Sequence, residues 1–191
     1  MHLKQLLELW NQQLQVWARS GQLLAAALDA LHIEASPPEL SELIAEISEG
    51  GINLLPPVEL LENAAMPGAA GAYAASTGTI YLNADWLLTA NNKQAVAVLT
   101  EEFGHHLDAL FNENDTKGDE GKTFAQHLNN QTQHNQESTT NDHGSIRVDG
   151  NNIPAEFARA TNVSLVFEGG YIGSIGNNPQ KNDDARPFSY W

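Results

Sequence analysis

The chain has 191 residues, with 24 Asp and Glu against 9 Lys and Arg, for a formal net charge of -15. That acidic surplus argues against a nucleic acid or an anionic membrane as partner and favours cations. A chain of this length buries ~70% of its unfolded surface without crosslinks, and the absence of cysteine excludes thiol catalysis, disulfides and thiolate zinc ligands.

Leu3, Leu6, Leu7, Trp10, Leu14 and Trp17 recur at three- and four-residue steps, followed by Leu24, Leu28 and Leu31. This spacing predicts amphipathic helices interrupted near Ser20-Gly21. Ser36-Pro37-Pro38-Glu39 reads as a helix start with Ser36 as cap, running to about Ser48 and stopping at Gly50-Gly51. Residues 1–50 are thus an N-terminal helical part. Ile52 to Leu55 reads as a short strand, residues 56–66 as a helical turn after Pro56-Pro57, and Gly68 to Ala75 as a small-residue flexible piece.

Ile80-Tyr81-Leu82-Asn83 predicts a strand, Asp85 to Leu88 a turn or short helix, and Lys93 to Phe111 a long helix. On that helix Val96, Leu99, Phe103, Leu107 and Leu110 form the expected core side. A short helix follows from Glu120 to Leu128, closing a core of residues 51–128. Residues 129–143 read as a polar linker or mobile loop. Residues 144–191 read as a β-hairpin extension, with hairpins at Ser145–Phe157 and Val163–Ile175 and a turn-rich tail. The expected class is α+β.

No stretch reaches the ~18 apolar residues of a membrane span, so no membrane insertion is expected. Glu8, Gln12, Gln13, Gln15 and Arg19 interrupt any signal-peptide core. An extracellular location by a leaderless route is expected ahead of a cytoplasmic one.

The chemistry concentrates in Thr100-Glu101-Glu102-Phe103-Gly104-His105-His106-Leu107-Asp108. At 100° per residue Glu101, His105 and Asp108 fall within about 60° of one another, with Glu102 on the flank. Between Lys93 and Lys117 there are five acids and no Lys or Arg, whereas a solvated helix normally mixes signs. Cation binding accounts for that pattern better than a solvated face does. Set against His-Glu-x-x-His, the run places His105 on the second ligand, Glu102 on the general base and Glu101 on the first ligand. Glu for His at that first position shifts metal preference toward harder ions such as manganese or calcium. Zinc is the leading expectation for one divalent ion, with manganese and calcium as alternatives.

Other clusters carry less. Asn112 to Glu120 offers oxygen donors for calcium but lacks EF-hand spacing and reads first as an ordinary acidic loop. His127, His134 and His143 read as solvated. Glu102-x-x-His105 also fits a di-iron carboxylate helix, but that chemistry needs a second such helix and the sequence has one.

The strand Gly78 to Asn83, Gly104 before His105, and Glu120 ahead of Phe124-Ala125 occur in an order that resembles the minimal gluzincins, compact zinc metallopeptidases, over roughly residues 68–128. Gly71-Ala72-Tyr73-Ala74, Thr79 to Leu82, Glu101 to Asp108 and Gly118 to Ala125 are also similar to uncharacterised domains of large calcium-rich secreted bacterial proteins. The resemblance implies a zincin-like fold with Glu101, His105 and Glu120 as metal ligands and Glu102 as catalytic base. It further implies that an exposed edge at Thr79, Ile80 and Tyr81 binds a peptide or protein substrate by strand addition. Asp108 or Asp119 stands as an alternative third ligand, and His106 or Tyr171 as oxyanion stabiliser. The expected function is a peptidase- or amidase-like metal hydrolase. The alternative is a catalytically degenerate zincin-like domain holding a structural cation and serving in binding or adhesion.

Overall fold

A computed structural model describes residues 2–51, 54–113, 116, 118–129 and 142–159. Helix α1 (Leu3–Arg19) gives way to α2 (Gln22–Ala30) at Gly21, whose φ of 79° is left-handed and suits glycine. Helix α3 (Pro38–Glu49) opens on proline, whose fixed φ and missing N–H fit a first turn. Its N-cap is Pro37 rather than Ser36; the Ser36 hydroxyl pairs with that of Ser41 instead. Leu6, Trp10 and Leu14 of α1 and Leu40 and Ile47 of α3 enter one core with Leu87 of the short α4 (Ala84–Leu87) and Leu99 and Phe103 of α5 (Asn92–Phe111). Trp10 meets Phe103 edge-on, ring centroids 5.8 Å apart.

Strands β1 (Val58–Leu61), β2 (Ala69–Ala74), β3 (Thr79–Asn83), β4 (Gly144–Val148) and β5 (Asn151–Arg159) form one sheet in spatial order β1-β3-β2-β5-β4. Only β1 and β3 pair in parallel. With helices and a mixed sheet, the chain is α+β. Alternation along the strands, offset in β2 by a register shift between Ala69 and Gly71, sends Ala70, Tyr73, Ile80, Leu82 and Ala158 to the helical core. Ala69, Ala72, Ala74, Tyr81, Ile146 and Ala155 go to a smaller cluster around Met66.

Four sequence expectations change. Leu54 and Leu55 lie outside any strand; the strand comes later, at Val58–Leu61, where a helical turn was expected. Gly68 to Ala75 contains β2, buried at every position between β3 and β5. Its alanines and glycine carry little intrinsic strand preference, and burial between two neighbours supplies the stability instead. The hairpin β4–β5 is no appendage, because β5 pairs with β2 within the same sheet. Leu110 is 55% exposed and leaves the core side of α5. Ile52, Asn53, residues 130–141, the second hairpin and the tail lie outside the described residues. Among the described residues, no helix is long and apolar enough to cross a membrane.

Candidate metal centre

Two local devices position the centre. A capping box starts α5: Gln94 N–H donates to the Asn91 side chain, and Asn91 N–H donates back to the Gln94 side chain. The short helix α6 (Glu120–Leu128) is capped by Asp119, which accepts from Lys122 N at 2.8 Å. The two helices cross closely. A Cβ at Gly121 would overlap the His105 ring and stand 2.6 Å from the Glu101 carbonyl oxygen, so glycine is required for His105 to sit against α6.

His105 is fully buried and gathers acids from both sides. Its Nδ1 lies 2.7 Å from Glu120 Oε1 and 2.7 Å from Glu156 Oε2, while Nε2 lies 3.3 Å from Asp142 Oδ2. Three groups have ligand atoms within 4.8 Å of one another: His105, Glu120 and Glu156; His105, Asp119 and Asp142; and Asp142, His143 and Glu156. Buried His, Glu and Asp groups here can therefore hold one metal ion.

Glu102 turns toward the sheet instead of flanking the ligands in solvent. It is fully buried, and its Oε1 accepts from Ala158 N of β5 at 2.8 Å. The β2–β5 register shifts between Ala69 and Gly71, and Gly71 leaves the room Glu102 needs: a Cβ there would stand 2.8 Å from Oε1 and 2.5 Å from Val98 Cγ1. Glu102 Oε2, His105 Nε2 and Asp142 Oδ2 are buried without a hydrogen-bond partner among the described residues. Unmet polar demand of this kind, gathered at one place, is what a cation or water satisfies.

Titration reflects the same crowding. Burial, reinforced by Asp119, raises Glu101 to about 8, and burial raises Glu102 well above the carboxylate range. Burial alone would lower His105, but hydrogen bonds to Glu120 and Glu156 outweigh it and raise the imidazole well above its usual value. Burial raises Asp142 to about 6. Without a cation the centre keeps protons that an open carboxylate cluster would shed.

The sequence expectations fare unevenly. His105 and Glu120 come together, but Glu101 lies outside all three donor groups, and Glu156 stands where a further ligand is needed. Asp108 is engaged elsewhere: it accepts from Asn112 Nδ2 at 2.6 Å and from the hydroxyl and N–H of Thr116 at 2.5 and 3.2 Å. Those donors come from the loop of residues 112–120, which reads first as an ordinary acidic loop and second as a calcium site. Asp119 both caps α6 and belongs to one donor group. His106 contacts the Tyr73 hydroxyl through Nδ1 at 3.1 Å, and burial lowers it to about 4, so it is neutral at pH 7. His127 pairs with Asp29 at 3.2 Å, while His134 and Tyr171 lie outside the described residues.

Thr79, Ile80 and Tyr81 do not offer a free edge. β3 pairs with β1 on one side and β2 on the other, and all five of its residues are buried. Strand addition needs unpaired backbone groups, and both sides of β3 are taken.

Glu156 and Asp142 carry no local motif. Glu156 does have one signal: alternation in Ala155-Glu156-Phe157-Ala158 puts it on the face of Ala158, opposite Phe157. Tyr73, paired with Glu156 across β2 and β5, was legible only as part of a small-residue run. No protein-family model, curated protein or solved structure matches the chain.

Proposed function

We propose that this chain is a metal-dependent hydrolase domain for peptide or amide bonds, with a divalent cation on His105, Glu120 and Glu156. The observation that carries the reading is Glu102: a buried carboxylate anchored through one oxygen on Ala158 N, with the other unpartnered and Glu156 and His105 acting on its charge. A bound divalent cation polarises a carbonyl and lowers the pKa of water. Glu102 Oε2 is the atom that takes a proton from water and returns it to the leaving amine. His105 keeps Nδ1 for the cation and carries its proton on Nε2, 3.3 Å from Asp142. The Tyr73 hydroxyl, in contact with His106, is the donor we assign to the developing oxyanion.

One imidazole among carboxylate oxygens favours manganese over zinc, because harder ions prefer oxygen donors. A cleft of about 230 Å³ lined by Met66, Ala69, His143, Ser145, Phe157 and Arg159 opens beside His143. It falls below the ~300–1,000 Å³ of drug-sized pockets and suits one side chain of an extended substrate. Of the two outer strands among the described residues, β4 is the one that continues directly from Asp142 and His143. A peptide pairing beside Gly144 and Ser145 would therefore run next to the centre.

A second reading is favoured by burial. Glu102 and His105 are both 0% exposed, and the donors come from α5, α6 and β5, so a cation here can act as a structural staple in a domain that binds or adheres. Elemental analysis of protein purified without added metal, beside His105→Ala, tests the shared premise. A peptide-library digest by manganese-loaded protein then separates the readings. The hydrolase loses roughly 10²–10⁴-fold in rate with Glu102→Gln while retaining its metal. Cleavage by Glu102→Gln at the wild-type rate rules out this mechanism, and a metal-loaded wild type that cleaves nothing leaves the structural staple.

A further inference from the structure

Glu156 belongs to two donor groups at once. It stands with His105 and Glu120 on one side and with Asp142 and His143 on the other, and each group brings its own imidazole. One cation cannot serve every donor. The two nitrogens of His105 point to different sides of the ring: Nδ1 stands 2.7 Å from Glu120 and Glu156, and Nε2 stands 3.3 Å from Asp142. A neutral imidazole binds a cation through one nitrogen and keeps its proton on the other. A cation on Nδ1 therefore leaves the proton on Nε2, which excludes a second cation from the group formed by His105, Asp119 and Asp142. One oxygen of Asp119 is also committed to the cap of α6.

Asp142 then needs another partner. It is 6% exposed, and its Oδ2 lies 3.3 Å from His105 Nε2 without the alignment of a hydrogen bond. A buried carboxylate with an unmet oxygen, next to a second imidazole and a shared carboxylate, is a ligand set. Charge points the same way. Glu101, Glu102, Asp119, Glu120, Asp142 and Glu156 gather around His105, and Lys122 acts on Glu101.

We propose that the centre takes two divalent cations bridged by the Glu156 carboxylate, one on His105, Glu120 and Glu156 and the other on Asp142, His143 and Glu156. The inference rests on the reading of His105 as a metal ligand and adds the second ion. Paired ions ~3.5–4 Å apart are the arrangement used by two-metal hydrolases. The exposed position of His143 places the second ion at the mouth of the centre, beside the cleft.

The test uses the full chain, stripped with chelator and dialysed against manganese chloride, with bound manganese counted by elemental analysis and its coupling read by electron paramagnetic resonance. Two ions per wild-type chain with a spin-coupled signal are expected, falling to one uncoupled ion in His143→Ala. That residue is exposed, so the variant should fold, and an unchanged circular dichroism melt checks this. Glu156→Gln should abolish the coupled signal. One ion in both wild type and His143→Ala overturns the second site and leaves the single-cation reading standing. No ion in the wild type overturns both. Two uncoupled ions that persist in Glu156→Gln overturn the bridge.

Discussion

Asp108 and His105 stand three residues apart on α5 and do different work. His105 points at acids from α6 and β5, whereas Asp108 closes the end of its own helix by accepting from Asn112 and Thr116. Asn112 passes the connection on to the carbonyl of Leu31 at 3.1 Å. Asp108→Ala removes the acceptor shared by the half-buried Asn112 and Thr116, and an intramolecular hydrogen bond contributes about 0.5–1.5 kcal/mol. We expect a loss of about 2–3 kcal/mol in urea unfolding with manganese binding unchanged. A parallel loss of manganese would return Asp108 to the ligand set. Glu101 and Glu102 diverge in the same way. One helical step sends Glu102 to the sheet backbone and leaves Glu101 partly exposed beside α6, with its proton held up to about 8.

At the scale of elements, the centre exists because α5 and α6 cross at glycines. The nearest atom to a Cβ on Gly104 is the Cα of Gly121, at 2.7 Å. Gly121→Ala gains helix propensity of about 1 kcal/mol, yet its methyl meets the His105 ring and a backbone oxygen of α5. Overpacking against backbone costs about 1–3 kcal/mol, so the clash wins. We expect lower stability, and weaker manganese binding as α6 carries Glu120 away from His105. Thermal melts and manganese titration of this variant read the two effects separately. The sheet makes a matching contribution, because the register shift beside Gly71 accompanies an Ala158 N–H that reaches Glu102 and gives its carboxylate one fixed oxygen.

For the whole molecule, the charge of -15 and the buried acids tie stability to pH and to cations. Glu101 at about 8 and Asp142 at about 6, with Glu102 and His105 also raised well above their usual values, hold protons in the folded state that the unfolded chain has released. Their contribution is present at low pH and lost as pH rises from about 4.5 through 8. His106 has the opposite sign: its value of about 4 means that stability present above pH 6.5 is lost as pH falls toward 4. Chelator-treated protein should therefore melt at a lower temperature at pH 8 than at pH 6. Manganese should flatten that slope by taking the place of the protons. A slope unchanged by manganese, followed by calorimetry, would mean that no cation enters the cluster.

The sequence by itself determined what local periodicity encodes. The helices at Leu3–Arg19 and Asn92–Phe111, the break at Gly21 and the strand at Thr79–Asn83 are all written at spacings of two to four residues. Glu120 was legible through resemblance, and it meets His105 because both sit on helices whose ends and glycines are local features. Tertiary structure alone decided the rest. Val58–Leu61 and Ala69–Ala74 become strands because neighbours bury and pair them, and β3 loses its edge because β1 and β2 occupy both sides. Glu156 and Asp142 join the centre across 51 and 37 residues from His105. No helical or strand repeat spans such distances; only the order of strands in the sheet brings those carboxylates to one imidazole.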